Sequence, residues 1–213
     1  MLVGDRMKFP VITVTPDTPI HEALNLMRLE QIRHIPVIQN GKLVGIVANE
    51  DLVYASPSPA TSLSIWEINY LLSRITVREI MTKEVLTVAE DTPIEEAARV
   101  MAEHKIGSIP VMRGDEVVGI ITETDLFKIF PELMGVREPG VRASFLLIEK
   151  PGQLAKVTKI ISDHGGNFIS FVQFAGEDRS NRLVTIKVAG LTKDQVLECI
   201  TPIVEKVIDI RSI

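Results

Sequence analysis

Gly119, Thr122 and Asp125 stand in the run Gly119-Ile-Ile-Thr-Glu-Thr-Asp125, where an apolar strand pattern gives way to a helical one. The first N–H groups of a helix have no intrahelical partner and its dipole favours negative charge, so a phosphate could dock there against the Thr122 hydroxyl. Asp125, ionised and able only to accept hydrogen bonds, could hold both hydroxyls of a ribose. Thr-x-x-Asp is also the spacing of a plain helix cap, and on spacing alone capping is the weightier alternative. A sister run, Gly45-Ile-Val-Ala-Asn-Glu-Asp51, carries Ala48 where the hydroxyl would be. Upstream of it, Arg33-His34 precedes Ile35-Pro36, whereas the matching residues before Ile109-Pro110 are Gly107-Ser108. A basic residue at a strand edge is ordinarily solvated surface.

These runs close two copies of one unit. Residues 13–52 overlie residues 87–126 without a gap at an offset of 74 (from 13 to 87), and the identities fall in blocks. Thr13-Val14 meets Thr87-Val88, Asp17-Thr-Pro-Ile20 meets Asp91-Thr-Pro-Ile94, Ile35-Pro-Val37 meets Ile109-Pro-Val111, and Val44-Gly-Ile46 meets Val118-Gly-Ile120. Met7 and Met81 keep the same register.

In each copy a short strand (11–14 in the first) leads to Asp-Thr-Pro, which predicts a helix with Thr18 or Thr92 as N-cap and the proline at its first position. Glu95 completes a capping box in the second copy. Ile20, Ala23, Leu24 and Met27 repeat at helical spacing, so they share one apolar stripe. Asn40-Gly41 between apolar runs predicts a hairpin, and Arg113-Gly-Asp115 is its counterpart. The unit is β-α-β-β-α. Between the copies, Leu63–Arg74 predicts a helix with Trp66 and Tyr70 on one face. Residues 131–141, with two prolines and two glycines, mark a boundary. Beyond it a β-α-β-β-α-β order follows: a strand at 142–148, a helix Gln153–His164, strands at 167–174 and 182–188, a helix Lys193–Glu205 strained by Pro202, and a last strand at 207–213. That order is the split, ferredoxin-like arrangement, with both helices on one face of an antiparallel sheet. The fold class is therefore α+β, with bounds of 1–54, a linker helix 55–76, 77–132, a linker 133–140, and 141–213.

A net charge of −5 without a basic block argues against a nucleic-acid surface. No segment reaches about 18 consecutive apolar residues, so no membrane span is expected, and Met1–Pro10 lacks the apolar core of a signal peptide. The single cysteine, Cys199, sits among apolar residues at helical spacing, as a buried thiol would, and fits a reducing cytoplasm. His21, His104 and His164 form no metal-ligand spacing, so neither a metal nor a cofactor is expected.

With these motifs in hand, residues 3–130 resemble a pair of CBS domains, whose hallmark is a strand ending in Gly-hydrophobic-x-Thr/Ser-x-x-Asp/Asn. The resemblance implies an adenine nucleotide, AMP, ADP or ATP, in a cleft between the copies. It assigns phosphate to Thr122, ribose to Asp125 and Asp51, and further contacts to Gly119, Thr87, Ile109, Pro110, Arg33 and His34. Ala48 makes the first cleft the poorer one, so one nucleotide per chain is expected. S-adenosylmethionine remains open beside the nucleotides.

Glu149-Lys-Pro-Gly-Gln-Leu154 and Gly166-Asn-Phe-Ile169 resemble the motifs of an ACT domain, with Lys150 departing from the usual acid. That implies an amino-acid ligand near Gly152, Gln153, Leu154 and Asn167, although Pro151-Gly152 is equally a tight turn. The whole order is similar to AcuB-type acetoin utilisation proteins, which implies a cytoplasmic regulatory protein acting on a protein partner that the sequence does not identify. Two alternatives stand beside this: an oligomerising scaffold with vestigial clefts, and an enzyme of acetoin metabolism. Catalysis needs a nucleophile paired with a base or two convergent carboxylates. Cys199, in an apolar helix with no histidine near it in sequence, supplies neither.

Both kinds of module resemble units that associate face to face, so a homodimer is expected. Light scattering on the purified chain should give at least twice the chain mass of 23.6 kDa at micromolar concentration; a monomer would refute this.

Overall fold

The computed structural model describes residues 1–55 and 74–213, in two compact units, Met1–Leu126 and Phe127–Ile213. The expected helix bearing Trp66 and Tyr70 lies outside the described residues. After a short 3-10 turn at Val3–Asp5, the first unit contains α1 (Ile20–Leu29), β1 (His34–Gln39), β2 (Lys42–Ala48) and α2 (Asn49–Tyr54). The second copy follows with α3 (Val77–Ile80), β3 (Val88–Ala89), α4 (Ile94–His104), β4 (Ser108–Arg113), β5 (Glu116–Thr122) and α5 (Glu123–Leu133). The stripe of α1 is buried as its spacing requires: Ile20, Ala23, Leu24 and Met27 all face the core. Asn40 and Gly41 have φ of 50° and 77°, the left-handed pair that a two-residue hairpin loop demands. Both hairpins slip register at equivalent places, Val37/Ile38 and Val111/Met112.

The strand expected at 11–14 shrinks to one parallel bridge, Val14 to Val37. Val14 donates to the Pro36 carbonyl (3.2 Å) and accepts from Ile38 N–H (2.8 Å), while Pro10 and Pro16 on either side lack the N–H a longer ladder would use. The capping expectation is also corrected. Pro19 and Pro93 hold the N-cap positions of α1 and α4, neither has a side-chain cap, and Glu95 closes no capping box. The first helical N–H is satisfied from the other copy's leading segment instead: Ile20 N–H donates to the Ile75 carbonyl (3.0 Å) and Ile94 N–H to the Met1 carbonyl (3.2 Å).

That exchange extends along both leading segments. Leu2 bridges Pro93 and Lys8 bridges Ile120, and at the repeat offset Thr76 bridges Pro19 and Thr82 bridges Ile46. Val3 is fully buried in the second copy's core with Ala97, Met101, Ile109 and Ile121. Val77, its counterpart, is fully buried in the first copy's core with Ile20, Met27, Ile35 and Leu52. Each repeat therefore fills the other's core, and the motif glycines admit the crossing chain. A Cβ on Gly119 would lie 2.3 Å from Met7 Sδ, and one on Gly45 would lie 2.6 Å from Met81 Sδ.

The second unit carries β6 (Val141–Ile148), α6 (Gln153–Asp163), β7 (Asn167–Ala175), β8 (Asn181–Ala189), α7 (Lys193–Ile200) and β9 (Lys206–Ser212). Its sheet has the order β7-β8-β6-β9, every pair antiparallel, which is the expected split topology. Val141, Ala143, Phe145 and Leu147 on one face of β6 pack against Val157 and Ile161 of α6 and Val196 and Ile200 of α7. Cys199 lies in this core, and burial pushes its thiol pKa up. Helix α7 ends at Ile200 and not at the expected Glu205, because Pro202 cannot continue it. Conversely, α5 runs through Pro131 to Leu133: a proline in the last turns removes one bond, and the chain leaves the helix at Gly135, with φ 58°.

Adding one methyl at Gly119 should cost about 1–3 kcal/mol through overpacking against Met7. Urea unfolding of Gly119→Ala, Met7→Ala and the double variant checks this: the double should recover part of the Gly119→Ala loss, and simple additivity would show that Met7 is not the obstacle.

Candidate functional site

A cleft of about 470 Å³ opens in the first unit, within the range that small-molecule sites occupy. Its walls come from three parts of the unit: Arg33, His34 and Ile46 to Asp51 of the first copy; Thr82 and Glu84 to Leu86 of the crossing segment; and Lys105 to Ser108 with Glu123 of the second copy. Val47 is not part of the lining, since its side chain is fully buried in the core. Antiparallel pairing sets His34 opposite Ala48, and Asp51 follows in the first turn of α2. Backbone bonds tie each motif to the stretch before its hairpin in the same way: Asn49 N–H donates to the Arg33 carbonyl (2.8 Å) and Glu123 N–H to the Gly107 carbonyl (3.1 Å).

Across the repeat boundary, His34 packs against Gly107. A Cβ there would come within 3.3 Å of His34 Cε1 and 3.6 Å of a Glu123 carboxylate oxygen. Lys105, at the C-cap of α4, adopts a left-handed φ of 55°, uncommon for a residue with a Cβ, and stands in the cleft wall. Beside it Ser108 is 5% exposed, and its hydroxyl has no hydrogen-bond partner among the described residues. Burial, and next the charge of Arg33, lower the pKa of His34 against the opposing pull of Glu50, Asp51 and Glu123.

The expected site residues divide into those the cleft gathers and those it does not. Arg33, His34 and Asp51 line it, together with Ala48. Thr122 and Asp125 bond each other: Asp125 accepts from Thr122 N–H (3.1 Å) and from its hydroxyl (2.6 Å), while Asp125 N–H reaches the Thr122 oxygen at 3.4 Å. That is the reciprocal cap the spacing allowed, and Asp125 is only 6% exposed. Gly119 faces Met7, as described above. Ile109 is fully buried in the second copy's core, so its side chain is a packing residue and not a wall against adenine; Pro110 beside it is also buried. Thr87 is exposed immediately before β3. In the second unit, Gly152 holds the left-handed φ of 84° that starts α6, and Gln153 and Leu154 follow it. Asn167 opens β7 beyond the other end of that helix. At 1.5 Å per residue the helix separates them by roughly 16 Å, so one chain does not bring these four residues into a single pocket.

Sequence reasoning missed Lys105, Ser108, Glu84 and Glu123. Only Ser108 carried a signal, in the offset: Gly107-Ser108 are the counterparts of Arg33-His34, and the small pair leaves the space the large pair fills. Among the described residues no cluster of His, Cys, Asp and Glu is arranged to hold a metal, and no helix is long and apolar enough to cross a membrane.

The CBS domain model matches residues 3–58 and 77–132. An inosine-5'-monophosphate dehydrogenase of Korarchaeum cryptofilum is 38% identical over 118 residues, 55% of this chain and 22% of that protein, so the chain spans only about a fifth of this relative's length. Three solved structures are similar. The CBS domain pair of protein MJ0100, in complex with 5'-methylthioadenosine and S-adenosyl-L-methionine, has a TM-score of 0.52 and 31% identity, covering 65% of this chain and 98% of that one. A putative acetoin utilization protein (AcuB) from Vibrio cholerae has a TM-score of 0.53 and 33% identity, covering 64% and 95%. CBSX2 in complex with AMP has a TM-score of 0.51 and 31% identity, covering 61% and 95%.

Because the pKa of His34 is held below its ordinary 6.5 in the fold, the unfolded chain binds more protons between the two values, and stability rises with pH there. The contribution is complete above 6.5 and is lost as pH falls through the lowered value. Unfolding measured from about pH 7.5 to about pH 5 should therefore show a steeper acid loss for the parent than for His34→Gln. Parallel slopes would exclude His34 as the cause.

Proposed function

Because the chain belongs to the CBS domain family, we propose that it is a regulatory protein that senses an adenosine-bearing ligand in the cleft of its first unit. The observation that carries this is the convergence of Arg33, His34 and Asp51 with Gly107 and Ser108 on one cavity of ligand size. Asp51 is exposed to the cavity and can accept both hydroxyls of a ribose, while Arg33 and Lys105 offer donors to an anionic tail. The solved complexes with AMP and with S-adenosyl-L-methionine support an adenosine ligand. Regulation follows if the ligand prefers one of two arrangements of the chain, since differential affinity alone shifts such an equilibrium. Nucleophilic catalysis has no comparable support, because among the described residues of the cleft no hydroxyl is hydrogen-bonded to a base.

The similarity to the acetoin utilization protein of Vibrio cholerae supports a role in acetoin or carbon metabolism, exerted on a protein partner. The β-α-β-β-α-β order of the second unit supports an ACT domain there. Its expected ligand residues stand at opposite ends of α6, so an amino acid held by Gly152, Gln153 and Leu154 together with Asn167 needs a second chain. That is a further reason for the homodimer.

Calorimetry with AMP, ATP and S-adenosylmethionine tests the cleft. Asp51→Ala should weaken binding at least ten-fold, about 1.4 kcal/mol, with the unfolding midpoint unchanged, because the carboxylate is exposed. Asp125→Ala should instead cost about 1 kcal/mol of stability through loss of the cap. The reverse pattern, with binding lost only in Asp125→Ala, would move the ligand to the second motif. Ala48→Thr supplies the missing hydroxyl and should raise affinity for a phosphate-bearing ligand about ten-fold.

A further inference from the structure

Four carboxylates line the cleft, those of Glu50, Asp51, Glu84 and Glu123, against two fixed cations, Arg33 and Lys105. Among the described residues no ion pair neutralises any of them. The histidine in the same wall adds little positive charge near neutral pH, because burial disfavours its protonated form. The lining is thus acidic on balance, with both signs present. A polyphosphate tail would meet net repulsion in a partly enclosed space, where charge pairs are screened less than on an open surface. A tail that carries positive charge together with a carboxylate would find partners of both kinds.

We propose that this cleft selects an adenosine ligand with a zwitterionic or cationic tail, of the adenosyl-sulfonium class, over adenosine phosphates. The proposal rests on the adenosine-sensor function above and adds the charge of the ligand's tail. Asp51 takes the ribose. Glu84, from the crossing segment, and Glu123, from the start of α5, face the sulfonium and ammonium, while Arg33 and Lys105 take the tail carboxylate. Of the two acids that decide the matter, Glu84 lies outside both glycine-to-aspartate runs and Glu123 belongs to the second copy's run, so the first copy's motif alone does not set ligand class. Glu84 arrives only because the second copy's leading segment crosses onto the first copy, at the Thr82 to Ile46 bridge.

Calorimetry on the full chain with S-adenosylmethionine, 5'-methylthioadenosine, AMP, and ATP with and without magnesium tests this. The expected order is sulfonium tightest, neutral thioether next, AMP weaker, and ATP at least ten-fold weaker than the sulfonium. Glu123→Gln and Glu84→Gln should each narrow the preference for the sulfonium over AMP several-fold, and a urea unfolding curve on each variant confirms that it folds. AMP, or ATP with magnesium, binding as tightly as S-adenosylmethionine would overturn the charge selection and leave the adenosine sensor standing. A sulfonium-to-AMP ratio unmoved in both folded variants would equally overturn it. No binding by any of the compounds would remove both.

Discussion

The first unit depends on an exchange: each copy buries the leading segment of the other. Val3 and Val77, a repeat apart, are fully enclosed among side chains of the opposite copy. Neither core is closed without the other's contribution, so the two copies stand or fall together even though each has its own helices and hairpin. Gly45 and Gly119 are the contact points, because only a residue without Cβ lets the thioethers of Met81 and Met7 lie against the strand. Burying a valine of this kind contributes roughly 1.5–3 kcal/mol, enough for the exchange to weigh heavily in a domain of ordinary marginal stability.

The cleft inherits its make-up from that exchange. A wall at Thr82 and Glu84 to Leu86 exists beside the first motif because the crossing chain passes there, and the opposing wall at Lys105 to Ser108 belongs to the second copy. The asymmetry between copies then does chemical work. Where one repeat has Arg33-His34 the other has Gly107-Ser108, so a large polar pair meets a small one, and the imidazole is half-buried against the glycine. Two identical repeats would present two large pairs in that space or two small ones.

Much of the fold was legible because its signals are local. The apolar stripe of α1, the Asn40-Gly41 loop and the β-α-β-β-α-β order of the second unit are written in short-range spacing. Helix starts were misread by one residue for a non-local reason: Thr18 and Thr92 looked like caps, but the N–H groups they would have satisfied are taken by backbone carbonyls from the other copy. The resemblance assigned Gly119 a ligand contact, and what its missing Cβ admits is the Met7 thioether, as Gly45 admits that of Met81; the shared register of the two methionines was visible in the sequence. At the cleft, the resemblance to a CBS pair pointed to Arg33, His34 and Asp51 but not to Lys105 or Glu84, which reach it only through tertiary approach. Thr122 and Asp125 show the ambiguity of a four-residue motif, since the same two side chains that could hold a nucleotide satisfy each other.

The exchange also imposes an order on synthesis. Val3 and Met7 leave the ribosome well ahead of the strands that enclose them, which end at Thr122, more than a hundred residues later. At about 5–20 residues per second that is a wait of roughly 5–20 s with apolar side chains uncovered. The first copy has no such delay, because Val77 follows its core closely and can complete it while the second copy is still being made. The first copy's core therefore closes before the second's, and the segment from Val3 to Met7 waits for strands made long after it.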